Sequence, residues 1–232
     1  MSLCFLIPVK LESAAQQVYL QRCLASVRVH YPTTPIYIVR AVGTHITLEL
    51  DSAMHVVQNP SFSTLGALQL FEENHYADTA CVLHDSMVVL APLPTPLPDL
   101  QFLYHFESSV FEHGLNVRGY RRLVPSETNA LLATLRVGCF GNACIVRHET
   151  LLQLNLAPLY PQVTTKYDFE CMERILAFRV QTAGRLRPSL CGNILDPLSD
   201  PWRHTEYASM TLDQLRQISF PHPILKACLG RK

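Results

Sequence analysis

The chain has 232 residues, of which 48% are hydrophobic and 16% are charged, so it holds enough apolar material for one α/β-sized core or two small ones. Lys and Arg together number 19, as do Asp and Glu, and the formal net charge is zero. A balanced chain has no overall field that would draw it to nucleic acid or to an anionic membrane surface, so we expect neither partner.

Predicted strands and helices alternate through the first part of the chain. The predicted strands are residues 3–7, 36–39, 55–58, 80–83 and 87–90, and the predicted helices run from a capping box at Ser13 to a stop at Tyr31 and over residues 63–73. Several of these strands are continuous apolar runs, which is typical of strands buried on both faces. The alternation predicts an α/β fold with a Rossmann-like, mostly parallel sheet flanked by helices.

The second part of the chain is less regular. Four prolines within residues 91–98 predict an extended connection. The later predicted strands are residues 101–106 and 139–146, and the later predicted helices are residues 126–135 and 166–179. Residues 107–125 are polar, aromatic and basic, and they show no clear period.

The cysteines and the amino terminus bear on the cellular compartment. None of the eight cysteines forms a Cys-x-x-Cys pair and most lie in apolar runs, which favours reduced core cysteines over a disulfide framework. The first apolar run lacks the basic segment and cleavage site of a signal peptide, and no window is long enough for a membrane span. We therefore expect a cytoplasmic protein with no integral membrane segment.

The triplet His84-Asp85-Ser86 interrupts an otherwise apolar segment, residues 80–93, ACVLHDSMVVLAPL. Ligands of open α/β sheets bind beyond the carboxyl ends of the strands, and the triplet follows such an end. Two explanations of Asp85 stay open from the residues alone. Its carboxylate could cap a turn, or it could hold a divalent cation, because hard cations prefer oxygen ligands.

Acidic residues also open the predicted helix at residues 166–179, in the segment KYDFECMER. Asp168 and Glu170 could take a proton from a bound hydroxyl group, as positioned carboxylates do in general base catalysis. The helix dipole favours acidic residues in any first turn, and Glu170 with Arg174 is an ordinary i, i+4 pair. A catalytic role and a structural role therefore both stay open.

The layout of these segments resembles the nucleotide-binding half of GT-A-fold glycosyltransferases, including the small soluble enzymes of bacteria and large DNA viruses. In that family an Asp-x-Asp motif between two strands binds Mn²⁺ or Mg²⁺ with the donor diphosphate, and here LHDSMVVLAPL stands in its place. The triplet departs from the motif because Asp85 is its sole acidic residue. The resemblance implies one GT-A-like domain over residues 1–232, with a nucleotide-sugar-binding half at 1–98 and an acceptor-binding, catalytic half at 99–232.

The resemblance also implies the residues of the site. The metal ligands would be Asp85, Ser86 and a carboxyl-terminal histidine, His222. The base of an inverting reaction would be Asp168 or, as second choice, Glu170. The residues that bind the donor would be Pro8, Val9, Lys10, Arg40, Asn59, Gly66, His84, Lys226 and Arg231.

The predicted function is a metal-assisted glycosyltransferase that moves a hexosyl or deoxyhexosyl group from a nucleoside-diphosphate-sugar, with UDP-sugars favoured, to a glycan or other hydroxyl acceptor. A non-catalytic binding or assembly protein stays open because the triplet has a single Asp. A sugar nucleotidyltransferase is the third alternative, although residues 6–10, LIPVK, lack the glycines of its signature. No Gly-x-Gly-x-x-Gly follows the first strand, which argues against an NAD(P)-dependent enzyme.

Overall fold

The computed structural model of this protein describes residues 1–10, 14–45, 47–61, 63–107, 114–134, 137–195 and 204–227. The predicted capping box at Ser13 and the predicted donor-binding residue Arg231 lie outside these ranges. The strands are β1 (Leu3–Val9), β2 (Ile36–Arg40), β3 (Met54–Gln58), β4 (Thr79–Val82), β5 (Met87–Val89), β6 (Leu100–Phe102), β7 (His105–Glu107), β8 (Val137–Cys139), β9 (Cys144–Arg147) and β10 (Ile224–Lys226). The α-helices are α1 (Ala14–His30), α2 (Thr64–Asn74), α3 (Gly114–Leu123), α4 (Thr128–Thr134), α5 (His148–Gln153), α6 (Lys166–Thr182), α7 (His204–Ser209) and α8 (Leu212–Gln217).

The central sheet has six strands in the order β3-β2-β1-β4-β9-β6. β1 pairs in parallel with β2 and β4, β2 pairs in parallel with β3, and β9 runs antiparallel to both β4 and β6. Five of the six strands therefore share one direction. This architecture confirms the predicted mixed, mostly parallel sheet flanked by helices.

The apolar run in β1 explains why the sheet is covered on both faces. Successive residues of a strand point to opposite faces, and here Leu6 belongs to one hydrophobic cluster while Ile7 belongs to the other. Helices α2 and α6 contribute to the cluster around Leu6, and α1 contributes to the cluster around Ile7. A strand buried on both faces needs apolar residues at every position, which is the pattern that the sequence shows.

Two small antiparallel sheets complete the fold, and they change two of the predicted strands. β5 pairs with β10, and β7 pairs with β8. The predicted strand at residues 101–106 is divided between β6 and β7, which belong to different sheets. The predicted strand at residues 139–146 is interrupted by a 3₁₀ turn, Phe140–Asn142, in which Gly141 has a φ of 61° and Asn142 a φ of 54°.

The region without a clear period contains helix α3. Its buried residues Tyr120 and Leu123 belong to the same hydrophobic cluster as several residues of α6, whereas Arg121 and Arg122 are exposed. Gly119 permits the close approach, because a Cβ atom there would lie 2.4 Å from the Cys171 sulfur. Glycine lowers helix propensity, so the residue that lets α3 pack on α6 also weakens the helical signal.

The seven cysteines within the described residues are buried free thiols, in agreement with the prediction of core cysteines. In the part of the chain that the structure describes, no helix has the length and apolar character needed to span a membrane. The division of the chain into halves at residue 98 stays a prediction.

Candidate functional site

A cavity of about 410 Å³ opens at the carboxyl ends of β1, β2 and β4. This is the edge at which open α/β sheets bind their ligands. The loops that follow β1, β2, β3 and β4 and the strand β10 all contribute residues. Its lining consists of Pro8, Val9, Lys10, Tyr19, Ala41, Asn59, Ser61, Ser63, Thr64, His84, Asp85, Ser86 and Lys226.

The structure brings many of the predicted site residues to this cavity and leaves others away from it. The predicted residues that line it are Pro8, Val9, Lys10, Asn59, His84, Asp85, Ser86 and Lys226. The predicted residues that do not line it are Arg40, Gly66, Asp168, Glu170 and His222. The roles assigned to both groups stay predictions, because position alone does not establish what a side chain does.

Lys226 lies on β10, and its side chain reaches the triplet after β4. Its Nζ lies 3.1 Å from His84 Nδ1 and donates a hydrogen bond to Ser86 Oγ at 2.5 Å. The backbone holds the two segments together, because Lys226 pairs with Met87 across β10 and β5 and Ala227 N donates to Ser86 O. Lys226 is 6% exposed, so its side chain is largely removed from solvent.

The carbonyl oxygen of Gly141 fixes the other side of the His84 ring. His84 Nε2 lies 3.1 Å from this oxygen, which also accepts a hydrogen bond from the Thr64 hydroxyl. A Cβ atom at position 141 would lie 2.1 Å from the His84 ring, so only glycine permits this contact. The 3₁₀ turn that interrupts the predicted strand therefore positions a residue of the cavity.

Glu173 on α6 supports the same turn from behind the cavity. Its Oε1 accepts a hydrogen bond from Gly141 N at 2.6 Å. Desolvation raises the pKa of Glu173 to about 8, against the opposing effect of that hydrogen bond. Sequence reasoning saw the acidic residues of this helix but could not identify Gly141 as the partner of Glu173.

Asn59 organises the loop between β3 and α2. Its side-chain amide donates to Ser63 O at 3.0 Å and accepts from Ser61 N at 3.0 Å. Gly66 provides the space for this side chain, because a Cβ atom there would lie 1.6 Å from Asn59 Oδ1. The sequence predicted that Gly66 allows a donor to approach closely, whereas in the structure Asn59 fills that space.

Asp168 has structural partners at the start of α6. Its Oδ2 accepts hydrogen bonds from Thr164 N and Thr165 N at 3.2 and 3.1 Å, and its Oδ1 pairs with the Arg122 guanidinium. With the Thr165 side chain it forms a capping box. Burial opposes ionisation of Asp168, but the bonds from Thr165, Thr164 and Arg122 outweigh it and lower the pKa.

The remaining predicted residues have other surroundings. Glu170 is exposed, and its Oε1 lies 3.7 Å from the ammonium nitrogen of exposed Lys166. His222 is partly buried with its ring edge-on to Phe220, and burial lowers its pKa. Arg40 ends β2, and its carbonyl oxygen accepts a hydrogen bond from Asn59 N.

Tyr19 is a lining residue that sequence reasoning missed. It lies on α1 beside fully buried Leu20, it is itself partly buried, and the Arg22 guanidinium lies 5.1 Å from its ring centroid. The available signal was an aromatic residue on the helix that follows β1. That signal is weak, because a tyrosine at such a position is equally compatible with an ordinary helix surface.

The described residues offer few oxygen ligands for Mn²⁺ or Mg²⁺. Asp85 is the one carboxylate among the described lining residues, and no group of three His, Cys, Asp or Glu residues is arranged for a metal within the described ranges. Ser86 Oγ and His84 Nδ1, which would have to complete the shell, already face the Lys226 ammonium. Predicted ligand His222 does not line the cavity.

Comparison with known proteins gives one informative likeness. No protein-family model and no curated protein sequence matches the chain. A solved structure of an active-site mutant of LgtC matches with a TM-score of 0.50 and 12% identity, covering 100% of this chain and 89% of that one. Galactosyltransferase LgtC in complex with donor and acceptor sugar analogues matches with a TM-score of 0.40 and 15% identity, covering 75% and 70%.

The bifunctional glycosyltransferase WbbM, solved in its apo form, matches with a TM-score of 0.47 and 11% identity over 81% of this chain and 44% of that chain. At such identities a likeness concerns the fold alone. The match to the LgtC mutant extends over the whole chain. This protein therefore has the GT-A fold of glycosyltransferases.

Proposed function

We propose that this protein is a glycosyltransferase that moves a sugar from a nucleoside-diphosphate donor to a hydroxyl acceptor. The observation that carries the proposal is the cavity beyond β1, β2 and β4 of a GT-A fold, in which the basic residues Lys10 and Lys226 face the same space as Asp85. Ammonium groups attract a diphosphate, and a carboxylate accepts hydrogen bonds from ribose or sugar hydroxyls.

The shape and lining of the cavity suit such a donor. Its volume of about 410 Å³ lies within the range of small-molecule sites. Tyr19 offers an aromatic surface on which a nucleobase can stack. Ser63 and Thr64 bring the amino end of α2 to the cavity, where backbone amides favour negative charge. UDP is the nucleotide that we would test first.

The transfer reaction has defined requirements. The bond from the sugar C1 to the diphosphate oxygen breaks with its electron pair left on the diphosphate, and a new bond forms from the acceptor oxygen to C1. The acceptor proton passes to a base. Because negative charge develops on the leaving diphosphate, fixed cationic groups near it lower the barrier.

The candidates for the base that takes the acceptor proton remain the two carboxylates predicted from the sequence, Asp168 and Glu170. The reaction would invert the configuration at the sugar C1. Asp168 accepts bonds from two backbone amides and pairs with Arg122, which makes it a weak base. Exposed Glu170 on the same helix has a looser partner, Lys166. A positioned carboxylate contributes roughly 10²- to 10⁴-fold to the rate, so Glu170→Gln should lower turnover by about that factor if Glu170 is the base.

A non-catalytic nucleotide-binding protein is the second candidate. The observation that favours it is the structural use of Asp168, together with the single carboxylate Asp85 among the described lining residues. Both candidates require nucleotide binding in the same cavity. They differ in whether bound donor is consumed.

The test is thermal unfolding of the purified chain with UDP, GDP, dTDP or CMP, each in EDTA and in Mn²⁺. A nucleotide at about one hundred times its dissociation constant should stabilise the fold by roughly 2.7 kcal/mol and raise the midpoint by about 5–11 °C. Lys10→Met should reduce the shift, whereas Lys166→Met, which changes an exposed lysine of α6, is the matched control.

A second measurement separates the two candidates. Release of the nucleotide from the corresponding nucleotide-sugar, followed with and without candidate acceptors, would establish transfer. Nucleotide binding without any release would favour the binding protein. Absence of a shift with all four nucleotides, in EDTA and in Mn²⁺, would contradict both candidates.

A further inference from the structure

We propose that the ammonium group of Lys226 takes the place of a divalent cation in the donor site, and that neutral His84 positions it. The proposal rests on the proposed function and deepens it, because it says which group of this chain meets the donor diphosphate. It departs from what the GT-A resemblance implies, which is a metal held by the residues after β4. Three contacts carry the proposal: His84 Nε2 to Gly141 O, Lys226 Nζ to His84 Nδ1 and Lys226 Nζ to Ser86 Oγ.

The first step is the protonation of the His84 ring. A carbonyl oxygen only accepts hydrogen bonds, so the 3.1 Å contact from Nε2 to Gly141 O assigns the proton to Nε2. In the neutral ring, Nδ1 then carries a lone pair. Lys226 Nζ, which only donates, lies 3.1 Å from that atom. Nδ1 thereby acts as an acceptor for the ammonium group.

The second step is the fixed position of Lys226. Its side chain donates to Ser86 Oγ at 2.5 Å as well as to His84, and two separate segments therefore hold one ammonium group. The backbone is anchored too, because Lys226 N donates to the Tyr104 hydroxyl, which in turn donates to Ile224 O. A lysine held in this way presents its charge without a large loss of side-chain freedom on binding.

The third step is the poor fit of a divalent cation. His84 Nδ1 and Ser86 Oγ are the atoms that would join Asp85 as ligands, and both accept from Lys226. A metal there would have to displace the ammonium group or tolerate like charge beside it. Among the described lining residues, only the Asp85 carboxylate would then remain to hold the cation together with waters and the donor phosphates.

The consequence for the donor is direct. An ammonium group that lines the cavity donates charge-assisted hydrogen bonds to phosphate oxygens. Lys226 would thus neutralise part of the diphosphate charge, which the GT-A resemblance assigns to a divalent ion. It would do so both before and after the sugar leaves. We therefore expect nucleotide binding that persists when divalent cations are removed.

The experiment measures the affinity of UDP, GDP and dTDP by calorimetry in EDTA and in Mn²⁺. We expect at least one nucleotide to bind in EDTA, with an affinity within about threefold of that in Mn²⁺. Lys226→Met should weaken binding in EDTA by about tenfold or more, and Lys226→Arg should retain more of it, because a charge-assisted hydrogen bond is lost in the first and kept in the second. Lys166→Met is the control.

The positioning role of His84 has its own readout. His84→Ala should weaken binding in EDTA in the wild-type background and should add little to Lys226→Met, because both changes remove the same positioned charge. If Lys226→Met fails to fold, Lys226→Arg takes its place, and a requirement of the wild-type protein for Mn²⁺ would still overturn the proposal. A ¹⁵N spectrum that places the His84 proton on Nδ1 would overturn the positioning role.

The outcomes separate this inference from the proposed function. Binding that requires Mn²⁺ would overturn the role of Lys226 and leave the glycosyltransferase proposal standing. Binding in EDTA that Lys226→Met leaves unchanged would also overturn it. Absence of binding under every condition would overturn the proposed function, and this inference with it.

Discussion

The carboxyl end of β4 and the amino end of α6 each carry a buried aspartate. Asp85 is 7% exposed and Asp168 is 4% exposed, yet their surroundings differ. Asp85 lines the same cavity as Lys226, whereas Asp168 lies away from the cavity, accepts two backbone hydrogen bonds and pairs with Arg122. Burial of a carboxylate therefore does not distinguish a cavity residue from a helix cap, and its position in the tertiary structure does.

The largest expected effect tests this contrast directly. Asp168→Ala should lower the free energy of unfolding by about 3 kcal/mol, because it removes the capping box and the ion pair with Arg122 and leaves the Thr164 and Thr165 amides without their acceptor. Asp85→Asn should weaken nucleotide binding by about tenfold. Urea denaturation and calorimetry of both variants measure the two quantities.

Exposed Glu170 provides the control for the first of these changes. Glu170→Ala on the same helix should alter stability by no more than about 0.5 kcal/mol, since exposed ion pairs contribute little. The contrast between the two regions would be reversed if Asp168→Ala left stability intact and abolished nucleotide binding.

The next effect sharpens the description of the cavity region. Gly66→Ala should destabilise the fold by about 2 kcal/mol, because the new Cβ atom would occupy the position of Asn59 Oδ1. Asn59→Ala removes that obstacle, so Gly66→Ala should be less destabilising in the Asn59→Ala background. A double-mutant cycle by urea denaturation measures the coupling between the two sites.

Strict additivity in that cycle would show that Gly66 does not serve to accommodate Asn59. Nucleotide affinity of the same variants gives a second readout. Because Asn59 organises Ser61 and Ser63 in the lining, we expect affinity to fall when the Asn59 side chain is displaced.

The last expected effect depends on pH and concerns Glu173, which connects the two regions through Gly141. Its pKa is raised from 4.5 to about 8 by desolvation, so the folded state prefers the protonated acid. That preference is fully favourable below pH 4.5 and is lost as the pH rises to about 8. Across this window ionisation of Glu173 should lower the free energy of unfolding, because the charged carboxylate is largely removed from solvent.

Glu173→Gln keeps an acceptor oxygen for Gly141 N and removes the titration. The unfolding free energy of the wild type minus that of Glu173→Gln should therefore fall with rising pH. The corresponding difference for Glu170→Gln should show no such trend. Asp168 acts with the opposite sign, because a lowered pKa stabilises the fold above its ordinary range and this stability is lost in acid. If the difference in unfolding free energy between wild type and Glu173→Gln did not change with pH, the raised pKa of Glu173 would be contradicted.

Local patterns were sufficient to predict the elements near the cavity. The unbroken apolar run of β1 and the polar triplet after β4 are short-range signals, and the rule for open α/β sheets places both at the same edge. Local patterns failed at residues 101–106, where the predicted strand is divided between two sheets. Nothing within residues 101–106 indicates that β6 pairs with β9 while β7 pairs with β8.

The sequence by itself determined the alternation of strands and helices and the location of His84, Asp85 and Ser86 at a strand end, because apolar period and turn chemistry act over a few residues. Only the tertiary structure decided that Lys226, 140 residues from Ser86, donates to it, and that Asp168 caps a helix. The physical reason is that the role of a polar group depends on the partner with which it forms hydrogen bonds. Strand pairing and helix packing across the whole chain determine which partner lies near it.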